Sequence, residues 1–179
     1  HPEAVPMAIE ALEAGKLIVL PTDTVYGVAS LIRADAVERI FAAKKRPEGR
    51  PVPILLSDVD AVAQVTSEFP DAAQRVANAF WPGPLTLVLP KCDDLPGNLS
   101  HLETVGVRVP DSESARAVIS AAGGALAVTS ANSSDHPPAC TIQAAVRYLT
   151  DSVAVYLDGG ACGGGRRTGC LARRHGGPA

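Results

Sequence analysis

The chain has 179 residues, 46% of them hydrophobic, which suits one domain with a sizeable core of its own. No apolar run approaches the roughly 20 residues that span a bilayer, so a helical membrane anchor within these residues is excluded and a cytoplasmic protein is expected. The net charge of −3 hides an asymmetry: residues 159–179 carry four arginines and no acid, while the rest has 12 basic and 19 acidic side chains, so any anion site must be local.

The chain opens at His1 with its single methionine at Met7, and its true start is expected upstream. Residues 3–14 place Val5, Ala8, Ile9 and Leu12 at helical spacing, with Gly15 as a stop. Residues 17–20 form a short apolar run bounded by Gly15 and Pro21. That pattern predicts a buried strand ending where proline cannot donate to a ladder. The polar turn Pro21-Thr-Asp-Thr-Val-Tyr-Gly27 follows, just past a strand's carboxyl end, where α/β sheets hold ligands. Its alternative is a turn whose Thr and Asp satisfy their own backbone. Asp35 can cap a second helix with Val37, Ile40 and Phe41 inward, ending at Lys44-Lys-Arg46 before Pro47. Residues 52–56 read as a strand that Pro53 assigns to an edge or an irregular segment.

Helices are predicted over 58–65 and 71–80, then a rigid corner at Trp81-Pro-Gly-Pro84, a strand over 85–89, a loop over 91–103 and a strand over 105–109. Asp111 or Ser112 caps a helix that Gly123-Gly124 ends. Strand 126–129 runs into a second polar turn from Ser130, followed by helix 141–149 and strand 153–157, which turns out at Asp158-Gly-Gly160. Strands alternating with helices indicate one α/β domain, taken as 1–160. The two strands without a helix between them, 85–89 and 105–109, point to a mixed sheet. Eight of the last 21 residues are glycine, so the tail over 161–179 reads as loop or disorder.

Three polar groups close apolar elements: Thr22 to Tyr26, Lys44-x-Arg46 and Ser130-x-Asn132. Arg108 stands among Val105, Val107 and Val109, and a buried charge without a partner costs several kcal/mol. Its fork suits a ligand carboxylate or phosphate; a structural ion pair is the alternative. Lys44 and Arg46 could equally be a solvated basic helix end, and Ser130 with Asn132 a plain turn. The four histidines lack ligand spacing and the four cysteines form no Cys-x-x-Cys, so reduced thiols are expected and no resident metal is indicated. No Walker loop and no Gly-x-Ser-x-Gly elbow is present.

Taken in order, Pro21-Thr-Asp-Thr-Val-Tyr-Gly27, Lys44-Lys-Arg46-Pro47, Trp81-Pro-Gly-Pro-Leu-Thr-Leu87, Val105-Gly-Val-Arg-Val-Pro110, Thr129-Ser-Ala-Asn132 and Asp158-Gly-Gly160 resemble the motifs of the YrdC-like threonylcarbamoyl-adenylate synthase family, in its single-domain form. The resemblance implies a twisted mixed parallel/antiparallel sheet with flanking helices and a concave positive cleft. It implies formation of L-threonylcarbamoyl-AMP and pyrophosphate from L-threonine, bicarbonate or CO2, and ATP with its Mg²⁺, for modification of a tRNA adenosine. Lys44 and Arg46 are then the catalytic cations. Thr24, Tyr26, Arg108 and Val128 bind threonine, and Arg46, Arg50, Thr104, Ser130 and Asn132 bind the nucleotide. Further partners on this view are tRNA or double-stranded RNA and the threonylcarbamoyl-transferase complex downstream. Alternatives are an RNA-binding module without catalysis and a relative that uses carbamoyl phosphate. Leu55 departs from the family's frequent histidine and Pro138 from a nearby serine. After Asp158-Gly-Gly160 the family's Ser-Thr-Val-Val-Asp strand and the arginine beyond it are replaced by Gly163-Gly-Gly-Arg-Arg-Thr-Gly-Cys170, where no strand is expected.

Overall fold

Residues 17–20 form the expected strand (β1, Leu17–Leu20), buried at all four positions. The computed structural model describes residues 3–45, 47, 49–134, 136–163 and 169–172. A strand that composition does not announce, β2 (Gly27–Ser30), folds back antiparallel on β1 with Gly27 opposite Leu20. The others are β3 (Ile54–Leu56), β4 (Leu85–Pro90), β5 (Thr104–Arg108), β6 (Ala125–Ser130), β7 (Val153–Tyr156) and β8 (Gly169–Ala172). All join one sheet in the order β7-β1-β2-β6-β3-β5-β4-β8. It is mixed, as expected: β1–β7, β3–β5 and β4–β8 run parallel, and the other neighbours antiparallel.

Five helices flank it among the described residues: α1 (Ala4–Glu13), α2 (Ala34–Lys44), α3 (Asp71–Phe80), α4 (Glu113–Ala121) and α5 (Ile142–Leu149). Ser112 caps α4 by accepting from the Ala115 N–H at 3.3 Å, and Thr141 caps α5 in the same way. Strand alternation divides the apolar residues between two cores. On one face Val19, Val28, Ile54 and Val107 meet Val37, Ile40 and Phe41 of α2. On the other, Ile18, Leu20, Leu55, Leu126 and Val128 meet α1 and α4. Arg108 alternates with Val105 and Val107, so it falls on the second face.

Four expectations are corrected. Asp35 does not cap α2; extended Arg33 precedes the helix, and Asp35 sits in its first turn, paired with Arg33 at 2.8 Å. The helix expected over 58–65 is a 3₁₀ turn, Asp60–Gln64, because Asp58 Oδ1 accepts the N–H groups of Asp60 and Ala61 and starts a tighter coil. β3 is central rather than an edge. Pro53 precedes its first residue and offers only its carbonyl, which accepts from the Val128 N–H at 2.9 Å, so the missing donor costs the ladder nothing. The tail is not loop throughout. Between its arginine pairs Gly169-Cys-Leu-Ala172 is uncharged, and it lies beside β4 with Cys170 opposite Thr86. No helix among the described residues is long and apolar enough to cross a membrane.

Candidate active site

β1 and β6 end side by side around β2, and the polar turns leaving them meet. In the first turn Thr22 is the hub. Its Oγ1 donates to the Val25 carbonyl at 2.6 Å, accepts from the N–H groups of Thr24 and Val25 at 3.2 Å, and lies 3.1 Å from Thr24 Oγ1. The turn therefore does satisfy its own backbone, and in doing so it fixes the Thr24 hydroxyl. Tyr26, fully buried, points away, correcting its expected place beside threonine: its hydroxyl donates to the Gly160 carbonyl at 2.6 Å, accepts from the Gly159 N–H at 3.1 Å and lies 3.2 Å from Asp158 Oδ1. Burial pushes its pKa up. Tyr26 latches the Asp158 turn to the sheet.

Arg108 ends β5 and is 5% exposed. Its Nε donates to the Gly83 carbonyl at 2.9 Å, Nη1 to Thr24 Oγ1 at 3.3 Å and Nη2 to Asp23 Oδ1 at 2.5 Å. Burial draws the guanidinium below its ordinary pKa and Asp23 opposes that shift. Of the two readings of Arg108, the ion pair is present. It does not seal the residue in, because Arg108 also lines a cavity of about 350 Å³ with Thr22, Thr24, Val128, Ser130 and Cys170.

The pocket has room because of glycines on its face. A Cβ at Gly27 would lie 2.6 Å from Val128 Cγ1, and one at Gly106 would lie 3.1 Å from Thr86 Cγ2. Leu55 and Pro53 supply apolar wall and Thr86 a further hydroxyl.

Lys44, the last residue of α2, arrives from the other face and is 1% exposed. Its Nζ donates to the Ser130 carbonyl, to the Asn132 carbonyl at 2.5 Å and to Asn132 Oδ1 at 3.2 Å. The Asn132 amide donates onward to the Ser133 and His136 carbonyls. This buried cation is no solvated helix end. Ser130 joins the halves: it lines the pocket, and its carbonyl holds Lys44.

Thr24, Arg108, Val128 and Ser130 thus share one pocket, with Lys44 and Asn132 directly behind Ser130. Thr104 does not join them. It begins β5, about 13 Å along the strand from Arg108, and lines a separate apolar recess with Val76, Leu89 and Leu171. Arg50 is exposed and lies outside the lining. Arg46 lies outside the described residues. Sequence reasoning missed Asp23, Thr86 and Cys170. Asp23 stood in the singled-out turn, but its partner is 85 residues away. The arrangement presents a buried guanidinium and several hydroxyls to one small pocket, groups suited to a carboxylate-bearing polar ligand.

The family model Sua5/YciO/YrdC, described as "Telomere recombination", matches residues 10–172, through β8. A threonylcarbamoyl-AMP synthase of Pyrococcus abyssi is 37% identical over 151 residues, covering 83% of this chain and 44% of that protein. One of Halorhodospira halophila is 34% identical over 161 residues, covering 89% of this chain and 84% of that protein. The crystal structure of P. abyssi Sua5 complexed with L-threonine has a TM-score of 0.91 and 33% identity, covering 94% of this chain and 50% of that one. The present chain spans about half the length of the archaeal relative and most of the bacterial one. By sequence, fold and motif order together, the chain belongs to the Sua5/YciO/YrdC family.

Proposed function

We propose that this domain is a nucleotidyltransferase making L-threonylcarbamoyl-AMP and pyrophosphate from L-threonine, bicarbonate or CO2, and ATP, with the product used in tRNA threonylcarbamoyladenosine modification. The observation that carries the reading is the pocket, where a buried guanidinium stands among hydroxyls and shares Ser130 with a buried lysine. A relative of the same fold crystallised with L-threonine supports it.

On this reading Arg108 takes the threonine carboxylate. The hydroxyls of Thr24 and Ser130 bind its polar groups, and Val128 packs on its methyl. The ammonium first gives a proton to solvent. The free amine then forms an N–C bond to the carbon source, giving a carbamate with loss of a second proton to solvent from CO2, or with loss of water from bicarbonate. A carbamate oxygen then attacks the α-phosphorus of ATP: the new P–O bond forms, the bond to the β-phosphate oxygen breaks, and pyrophosphate leaves. Anions must be brought together, so fixed positive charge and positioning matter more than a strong base. Lys44 supplies a placed cation, held at the end of β6 by Ser130 and Asn132. Arg46 supplies a second, and Ser130 and Asn132 contribute to nucleotide binding. Arg50, being exposed, is open to a nucleotide arriving from solvent. Tyr26 and Thr104 have no part in this proposal.

Among the described residues no grouping of three or more His, Cys, Asp or Glu is placed to hold a metal. Mg²⁺ belongs, on this proposal, to the triphosphate of ATP. The cleft is read as positive, and tRNA or double-stranded RNA and the transferase that consumes the reactive anhydride are proposed partners.

Pyrophosphate release tests the proposal. It should require L-threonine, bicarbonate and ATP together and stop when any one is omitted. Release that ignores threonine, or that runs on carbamoyl phosphate instead, would overturn it.

A further inference from the structure

Asp23 is outside the pocket lining, but it stands between Thr22 and Thr24 of that lining and bonds Arg108, which lines it too. Its side chain is 15% exposed and bonds Arg108 Nη2 at 2.5 Å. The same oxygen accepts from the Asp111 N–H at 3.1 Å. Ser112 Oγ donates to the Pro21 carbonyl at 3.1 Å, fastening the turn that bears Asp23 to the start of α4. The carboxylate is therefore held in place. The guanidinium is fixed as well, with Gly83, Thr24 and Asp23 on its three nitrogens.

The charge balance has a consequence for selectivity. Among the described residues lining the pocket, Arg108 alone carries a formal charge. A buried guanidinium with no counter-ion would draw in any small anion, because Coulomb attraction is strong where water is sparse. A carboxylate arriving at Arg108 here meets attraction from the guanidinium and repulsion from Asp23 just behind it. A ligand that also carries an ammonium is relieved of that repulsion, since its positive end interacts favourably with Asp23. Lys44, whose Nζ bonds the Ser130 carbonyl, is present in every protein compared, so its charge enters each of them alike.

We infer that Asp23 is a specificity-determining positioning residue: by balancing Arg108 from behind, it makes the pocket select a zwitterionic α-amino acid over a simple carboxylate. The inference rests on the reading that puts the ligand carboxylate at Arg108, and it goes beyond that reading in naming what rejects the wrong anion.

The test is calorimetric titration of the full chain with L-threonine and with 3-hydroxybutanoate, which keeps the carboxylate and hydroxyl but lacks the ammonium. Wild type, Asp23→Asn and Asp23→Glu are compared in low-chloride buffer. Wild type should prefer threonine at least 100-fold. Asp23→Asn should lose at least tenfold of that preference, through tighter binding of 3-hydroxybutanoate, and Asp23→Glu should keep it. A preference unchanged in Asp23→Asn, or both ligands weakened equally as a merely structural role predicts, would overturn the inference. If Asp23→Asn fails to fold by circular dichroism, equal affinity of wild type for the two ligands would overturn it. A wild type that binds no threonine would sink the functional reading instead; the inference would then stand or fall on whether Asp23→Asn gains 3-hydroxybutanoate binding.

Discussion

Single residues carry the chemistry, and their surroundings were only partly legible. Arg108 announced itself, because a charge between valines on a short strand must have a partner. Which partner could not be read, since Asp23 is brought to it by folding across 85 positions. Tyr26 misled for the opposite reason: a hydroxyl inside a polar turn suggests a ligand, yet it meets the Asp158 turn. Tyr26→Phe should cost about 1 kcal/mol in urea unfolding at neutral pH, the typical net worth of one hydrogen bond. Burial raises the folded-state pKa of this phenol, so the folded chain keeps a proton that the unfolded chain releases. That contribution is complete below the ordinary tyrosine value of about 10 and is lost as pH climbs through the folded value. Wild type should therefore lose stability more steeply than Tyr26→Phe above pH ~10; parallel pH profiles would contradict the burial of this hydroxyl. Gly27 gives a second residue-scale prediction. Its missing Cβ leaves the space that Val128 Cγ1 occupies. Gly27→Ala should destabilise by about 1–3 kcal/mol through overpacking. Adding Val128→Ala should recover part of that loss, and strict additivity of the two would argue against the contact.

At the scale of elements, the long periodic segments were legible and the short ones were not. α1, α3 and α5 follow from apolar spacing and their flanking stops. β2 escaped because Gly27-Val-Ala-Ser30 has neither the length nor the alternation of a strand, and it exists through its pairing with β1 and β6. β8 escaped because glycines and arginines on either side masked four uncharged residues. Its placement matters to the pocket, since Cys170 forms part of the wall. A chain ending at Gly163 should keep its helical circular dichroism yet bind L-threonine at least tenfold more weakly in calorimetry. Undiminished affinity would show that β8 contributes nothing to the site.

The described residues form one mixed sheet with an apolar core on each face; the pocket lies on the face of Leu55, Val128 and Arg108, beside the end of β6, and Lys44 reaches Ser130 from the other face. The class of fold was legible because alternating strands and helices leave few layered solutions. The meeting of Arg108 with Ser130, and of Ser130 with Lys44, was not, because it depends on β5, β3 and β6 lying side by side in a nonsequential order. The most direct test of this convergence is calorimetric titration of L-threonine into wild type and Arg108→Ala. Wild type should show saturable binding at one site per chain. Arg108→Ala, provided it folds, should lose about 2–5 kcal/mol of that binding, as expected when one member of a buried charge pair is removed. Equal affinity of the two proteins for threonine would contradict the account.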